Sequence, residues 1–202
     1  MLIKNFQKIL FQGDSITDSD RIRIGNGLGI GYVFICDTWL KKLYPNLKIE
    51  TINRGISGNT IFDLKDRWVH DCLILEPHWL TILIGINDCF KGITDEEYER
   101  IYREILTITK QNIKHINIIL MEPFLLPINS VEKKFVMSVE NKCDIVRSLV
   151  KKFNTLFIPL NDIFKKLSKI VPAHYWTSDG VHPTPQGHFV IAENWLKIVK
   201  AI

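Results

Sequence analysis

Lys8-Ile9-Leu10-Phe11-Gln12-Gly13-Asp14-Ser15-Ile16-Thr17 passes within ten residues from an apolar run into a glycine-bounded polar turn. The run Ile9-Leu10-Phe11 reads as a short strand buried on both faces, the kind that parallel sheets covered by helices require. A turn directly after such a strand lies at the carboxyl edge of the sheet, where open α/β folds bind their ligands. Ser15 is therefore a candidate nucleophile, set against the commoner role of a serine in that position, which is to cap the following helix.

Strand and helix patterns alternate from there to the end of the chain. Short runs of apolar and β-branched residues predict strands over Lys8 to Gln12, Lys48 to Asn53, Leu80 to Ile84, Asn117 to Met121 and Leu156 to Pro159. Between them, helical periodicity covers Val33 to Leu43, Ile61 to Leu75, Asp95 to Asn112 and Val131 to Phe153, with Ile163 to Ile170 and Gln186 to Ala201 closing the chain. Such β-α alternation makes the sheet parallel and its crossovers right-handed. The fold expected is an α/β, three-layer α/β/α sandwich with five parallel strands in the order 2-1-3-4-5, flavodoxin-like in outline. No repeat, low-complexity tract or linker interrupts residues 1–202, so a single domain is expected. Pro123, Pro127 and Asn129 mark the longest loop of the body, beside the predicted edge of the site.

A serine hydroxyl attacks slowly unless an imidazole removes its proton, and the imidazole needs an acid to fix its tautomer and stabilise its charged form. Asp179-Gly180-Val181-His182-Pro183 supplies both groups. One short turn brings the Asp179 carboxylate to the Nδ1 side of His182 and leaves Nε2 for Ser15; the alternative is a capping aspartate and an ordinary loop histidine. Two more loops follow predicted strands. In Asn53-Arg54-Gly55-Ile56-Ser57-Gly58-Asn59-Thr60, Gly58 can offer a backbone N–H with no Cβ in the way, and in Gly85-Ile86-Asn87-Asp88, Asn87 carries an amide donor. With the Ser15 N–H, these could surround one developing oxyanion. As isolated segments both would read as ordinary turns. What argues against that is that one parallel sheet can gather all of them at one edge.

These elements, in this order, resemble the SGNH (GDSL-type) hydrolase family. Ser15, Gly58, Asn87 and His182 match its four name-giving positions and Asp179 matches its triad acid. The segments Gly13 to Arg21, Asn53 to Thr60, Ile84 to Asp88 and Val181-His182-Pro183 are most similar to its serine acetylxylan esterase branch, among GDSL-like lipases and acylhydrolases. The resemblance implies two-step acyl transfer through an acyl-enzyme, with no cofactor. It also implies a short acyl ester as substrate, an acetyl group on a xylo-oligosaccharide. The alternative within the family is a lysophospholipase or thioesterase acting on longer chains; outside it, a flavodoxin-like binding module without hydrolytic activity. Tyr175 and Trp176, just before the triad acid, and Phe124, in the loop after the fourth strand, are candidate substrate-binding residues. The stretches holding them, Met121 to Ser130 and Ala173 to Ser178, are places where family members vary.

Other features read more plainly. The 202 residues, 46% hydrophobic, can bury a substantial core, and the net charge of +4 arises from 26 basic and 22 acidic residues that are interspersed, which disfavours a nucleic-acid partner. Cys36, Cys72, Cys89 and Cys143 form no Cys-x-x-Cys pair and read as reduced core residues. His70, His78, His115, His174 and His188 lack metal-ligand spacing, so no metal is expected. Gly25-Asn26-Gly27-Leu28-Gly29-Ile30-Gly31 departs from the dinucleotide pattern and reads as a flexible entrance loop. Asp14 and Asp88 read as local hydrogen-bonding residues. The amino terminus is too short and polar for a signal peptide, and no run reaches a membrane span. A cytoplasmic enzyme free of the membrane is expected, with a small-molecule ester as partner and homo-oligomerisation left open.

Overall fold

The computed structural model describes residues 1–128 and 132–202. Asn129 and Ser130 of the expected long loop, and the expected helix start at Val131, lie outside the described residues. Five strands, β1 (Gln7–Gly13), β2 (Ile49–Gly55), β3 (Trp79–Leu83), β4 (Asn117–Met121) and β5 (Leu156–Ile158), form one sheet in the order β2-β1-β3-β4-β5. Every pairing is parallel, and the register sets Gly13 beside both Gly55 and Leu83. Three strands thus end side by side at the edge where the candidate site is expected.

The strands alternate between two cores. Ile9, Phe11, Ile119 and Met121 face one layer, and Leu10, Ile118 and Leu120 the other. On the first face lie α2 (Tyr32–Leu43), α7 (Leu160–Leu167) and α9 (Pro185–Ile198). On the second lie α3 (Ile61–Trp68) and α5 (Asp95–Asn112). Helix α6 (Lys133–Phe153) spans the sheet margin, giving Val139 and Cys143 to one core and Val146 and Leu149 to the other. All four cysteines are buried and free.

Helix starts are set by side-chain caps. Thr60 and Thr94 form capping boxes with Asp63 and Glu97, and Thr184 caps α9 ahead of Pro185 in the first turn. Several boundaries differ from periodicity. The α3 segment becomes a π turn over Val69–Leu73, whose wider circuit keeps Cys72 on the buried side with Leu64 and Trp68. Helix α7 starts earlier than expected because the Asn161 amide bonds to the buried Glu122 carboxylate, 3.1 Å away. Helix α9 stops early, at a backbone reversal where Lys200 has φ 55°. Three short helices, α1 (Ser15–Asp18), α4 (Ile86–Phe90) and α8 (Ala173–Trp176), are too brief to carry a periodic signal, as is the 3₁₀ turn at Gly25–Gly27.

Candidate active site

Gly13 ends β1 at a point with no room for a side chain: a Cβ there would lie 2.3 Å from Thr17 Oγ1 and 2.4 Å from the Leu83 carbonyl oxygen. The chain then turns abruptly into α1. Asp14 caps it, its Oδ1 accepting the Ile16 N–H at 3.0 Å, which is the local role expected of it. Burial pushes the Asp14 carboxyl up to about 7, against that hydrogen bond. Ser15, the first residue of α1, projects its hydroxyl from this turn.

The imidazole arrives from the other end of the chain. Leu126 N–H donates to the Gly180 carbonyl at 2.9 Å, and a Cβ on Gly180, at φ +98°, would lie 2.6 Å from the Leu126 carbonyl oxygen. Thr177 and Pro183 close the same loop as an antiparallel bridge. Within it Asp179 Oδ1 accepts the amides of Val181 and His182, at 2.9 and 2.8 Å, leaving Oδ2 2.6 Å from His182 Nδ1. His182 Nε2 lies 3.0 Å from Ser15 Oγ, across a sequence separation of 167 residues. Burial pushes the Asp179 carboxyl up, but the bonds from the His182 ring and the two amides outweigh it and hold the group below its ordinary range. Asp179 therefore remains ionised beside the imidazole, the state that favours an Nδ1-protonated ring with Nε2 as base. Thr184, rather than Asp179, caps α9, which removes the alternative reading of the motif.

Gly58 has φ +80°, and a Cβ there would meet nothing within 4 Å, so backbone conformation alone favours glycine. Asn87 donates one Nδ2 hydrogen to the Asn59 carbonyl at 3.0 Å, which fixes its amide plane and leaves the second hydrogen. The Asp88 carboxylate accepts the Ile61 amide at 3.0 Å and ties α4 to α3. Arg67 braces the same loop, with Nε on Asn59 Oδ1 at 2.9 Å, a second nitrogen on Asp71 and a third on the Gly13 carbonyl. Among the described residues, the amides of Ser15 and Gly58 make no hydrogen bond within the chain. The arrangement contains an acid, a base, a hydroxyl and unspent N–H donors, which is what acyl transfer needs.

A cleft of about 410 Å³ opens over Ser15 and His182, with Ile30 of the glycine-rich loop at its mouth and His188 in its wall. The three candidate substrate-binding residues lie elsewhere. Phe124 is fully buried, packed on Phe164 with ring centroids 4.4 Å apart, and presents no surface to a ligand. Tyr175 and Trp176 line a separate groove with Ile163, Leu167 and Phe189, because the Trp176 ring turns back to donate to the Val171 carbonyl at 3.2 Å. A loop sequence shows which residues are aromatic but not toward which side of the loop they fold. Metal-ligand spacing alone does not single out His188; its position six residues after His182, in the first turn of the closing helix, is the sequence signal that places it by the site. Among the described residues no group of three or more His, Cys, Asp or Glu side chains could hold a metal ion. None of the described helices is long and apolar enough to cross a membrane.

Residues 11–189 match the GDSL-like lipase/acylhydrolase family, so the chain belongs to that family and is a carboxylic ester hydrolase. It is 35% identical to an acetylxylan esterase of Geobacillus stearothermophilus over 212 residues, 98% of this chain and 95% of that one. The solved structure of an acetylxylan esterase from the same organism superposes with a TM-score of 0.89 at 34% identity, covering 98% and 96% of the two chains. A protein from Parabacteroides merdae described as a GDSL-like lipase reaches a TM-score of 0.93 at 37% identity, covering 99% and 98%.

Proposed function

We propose that this esterase removes acetyl groups from small carbohydrates, acetylated xylo-oligosaccharides in particular, through an acyl-enzyme on Ser15. The observation that carries this reading is the continuous relay from Asp179 Oδ2 through His182 to Ser15 Oγ, with contacts of 2.6 and 3.0 Å. His182 Nε2 takes the hydroxyl proton as Oγ bonds to the ester carbonyl carbon. The carbonyl electron pair moves onto oxygen, facing the N–H of Ser15, the N–H of Gly58 and the free Asn87 Nδ2 hydrogen. Collapse of the tetrahedral species expels the alcohol, which takes the proton from His182. Water then enters by the same route: His182 removes its proton, the acyl group leaves as the acid, and Ser15 Oγ is reprotonated.

Two considerations support a small acyl group on a sugar. A relative 35% identical over nearly the whole chain is named an acetylxylan esterase. The cleft is small and open, so most of a long acyl chain would stay in water and contribute little binding. The four free, buried thiols fit a reducing cytoplasm.

The test is a substrate panel with a matched variant. Ser15→Ala is expected to fold and to lose nearly all activity, and a fluorophosphonate is expected to label the wild-type protein at Ser15 by mass spectrometry. Turnover should favour acetyl over octanoyl esters of the same alcohol. Labelling at another serine would overturn the nucleophile, and a clear preference for octanoyl esters would move the enzyme to the lysophospholipase or thioesterase class.

A further inference from the structure

His188 stands in the wall of the catalytic cleft, and its role there follows from what holds each of its two ring nitrogens. Nδ1 lies 3.2 Å from the Tyr32 amide and accepts its hydrogen. A ring that accepts at Nδ1 carries its proton at Nε2 when neutral. Nε2 has no partner among the described residues and is not sealed from solvent, so it presents a fixed N–H donor within a cleft wall. The ring is otherwise enclosed, with only 9% of the residue exposed, and it stacks on Tyr32 with centroids 6.5 Å apart. Burial, aided by the neighbouring His182, pushes its pKa down to about 4, so the donor is neutral across the pH range in which an esterase of this kind works.

The surroundings suit a polyhydroxyl group. Ser19 and Asp20, both with positive φ, line the cleft beside His188, as does Ile30. Gly31 lets Ser19 and His188 approach each other: a Cβ there would lie 2.7 Å from Ser19 Oγ and 2.8 Å from His188 Cε1. A neutral N–H, a hydroxyl and a carboxylate beside an apolar side chain supply donors and acceptors for vicinal hydroxyls and a face for ring C–H groups.

We propose that His188, with Ser19 and Asp20, forms the subsite that binds the alcohol portion of the ester, a sugar ring, and that the His188 Nε2–H is its orienting hydrogen-bond donor. The inference rests on the carbohydrate reading above and adds the residues that read the sugar. It also gives substrate selection to the α1 end and α9, in place of the aromatic residues of α8.

Two substitutions separate the two ring nitrogens. His188→Asn retains an acceptor near the Nδ1 position for the Tyr32 amide but removes the Nε2 donor; His188→Gln places an amide N–H near Nε2 and gives up the acceptor. Each is compared with wild type in kcat/KM for an acetylated xylo-oligosaccharide and for 4-nitrophenyl acetate, whose alcohol has no vicinal hydroxyls. His188→Asn is expected to reduce the sugar-ester value about tenfold further than the aryl-acetate value, mainly through KM, the size of one lost neutral hydrogen bond. His188→Gln is expected to retain most of the wild-type ratio. The reverse pattern would assign His188 to support of Tyr32 alone, and an unchanged ratio in both, or an equal loss in both, would overturn the subsite. If neither variant folds, Ser19→Ala takes the test, because it leaves the Tyr32 contact intact: a lowered ratio supports the subsite and an unchanged one overturns it. Wild-type turnover of 4-nitrophenyl acetate without turnover of the sugar ester would overturn the substrate reading and the subsite together, while leaving the esterase in place.

Discussion

Asn87 shows what the site asks of a single side chain. Its amide is held by the Asn59 carbonyl, so in the proposed mechanism the remaining Nδ2 hydrogen meets the developing oxyanion without loss of rotamer freedom. Asn87→Ala is expected to lower kcat by roughly 10² to 10³ with little change in KM, measured by steady-state kinetics on an aryl acetate. Asp14 illustrates a different constraint. Its carboxyl is raised from 3.8 to about 7 by burial, so the folded protein holds a proton that the unfolded chain releases at lower pH. Its stabilising contribution is complete below about pH 4 and is lost as pH rises toward 7. Asp14→Asn keeps an Ile16 N–H acceptor and cannot ionise, so its stability relative to wild type should rise between pH 5 and pH 8 in urea titrations. An unchanged difference would mean that burial does not raise the carboxyl above its unfolded range. The motif residues were legible from the chain because their chemistry is carried by residue type and spacing. Phe124 and Trp176 were not, because the direction of a loop side chain is set by what it packs on.

Helices α3 and α9 connect local sequence to the site. Thr60 and Asp63 start α3 by a capping box readable in sequence, whereas the braces that Arg67 makes from it to Asn59, Asp71 and Gly13 depend on segments brought together by the sheet. Arg67→Met should cost about 1.5–3 kcal/mol of stability, from the loss of charged-group hydrogen bonds. It should also lower kcat about tenfold at near-constant KM, since Asn59 orients Asn87. Arg67→Lys should recover part of the stability and little of the rate, because one ammonium cannot replace the directional fork of a guanidinium. Equal kcat in all three proteins would show that the oxyanion loop holds its shape unaided. On α9, Thr184 supplies the cap and ties the helix to α8, accepting the Gly187 amide and donating to the Tyr175 carbonyl. Thr184→Ala is expected to lower stability by about 1 kcal/mol in urea titration. The broad helix spans could be read from periodicity, while the π turn and the one-turn helices could not, because they answer to tertiary contacts.

Across the molecule, α9 joins the core to chemistry: Trp195, fully buried, packs on Phe11 with centroids 5.2 Å apart and donates to Thr81 Oγ1 at 2.8 Å. Trp195→Ala should cost about 3–5 kcal/mol, read as a fall in the urea midpoint, because it opens a void at the sheet and leaves the Thr81 hydroxyl without that donor. The β2-β1-β3 order puts the ends of three parallel strands together, so loops distant in sequence meet at one edge. The parallel sheet and the candidate catalytic group types follow from β-α alternation and motif chemistry, both of which are local or nearly so. The 3.0 Å approach of His182 to Ser15, the burial of Phe124, the turning away of Trp176 and the fixed tautomer of His188 arise only once the layers pack. The physical reason is that residue type sets what a group can do chemically, while its direction, solvation and partner are set by long-range contacts between elements that no local pattern encodes.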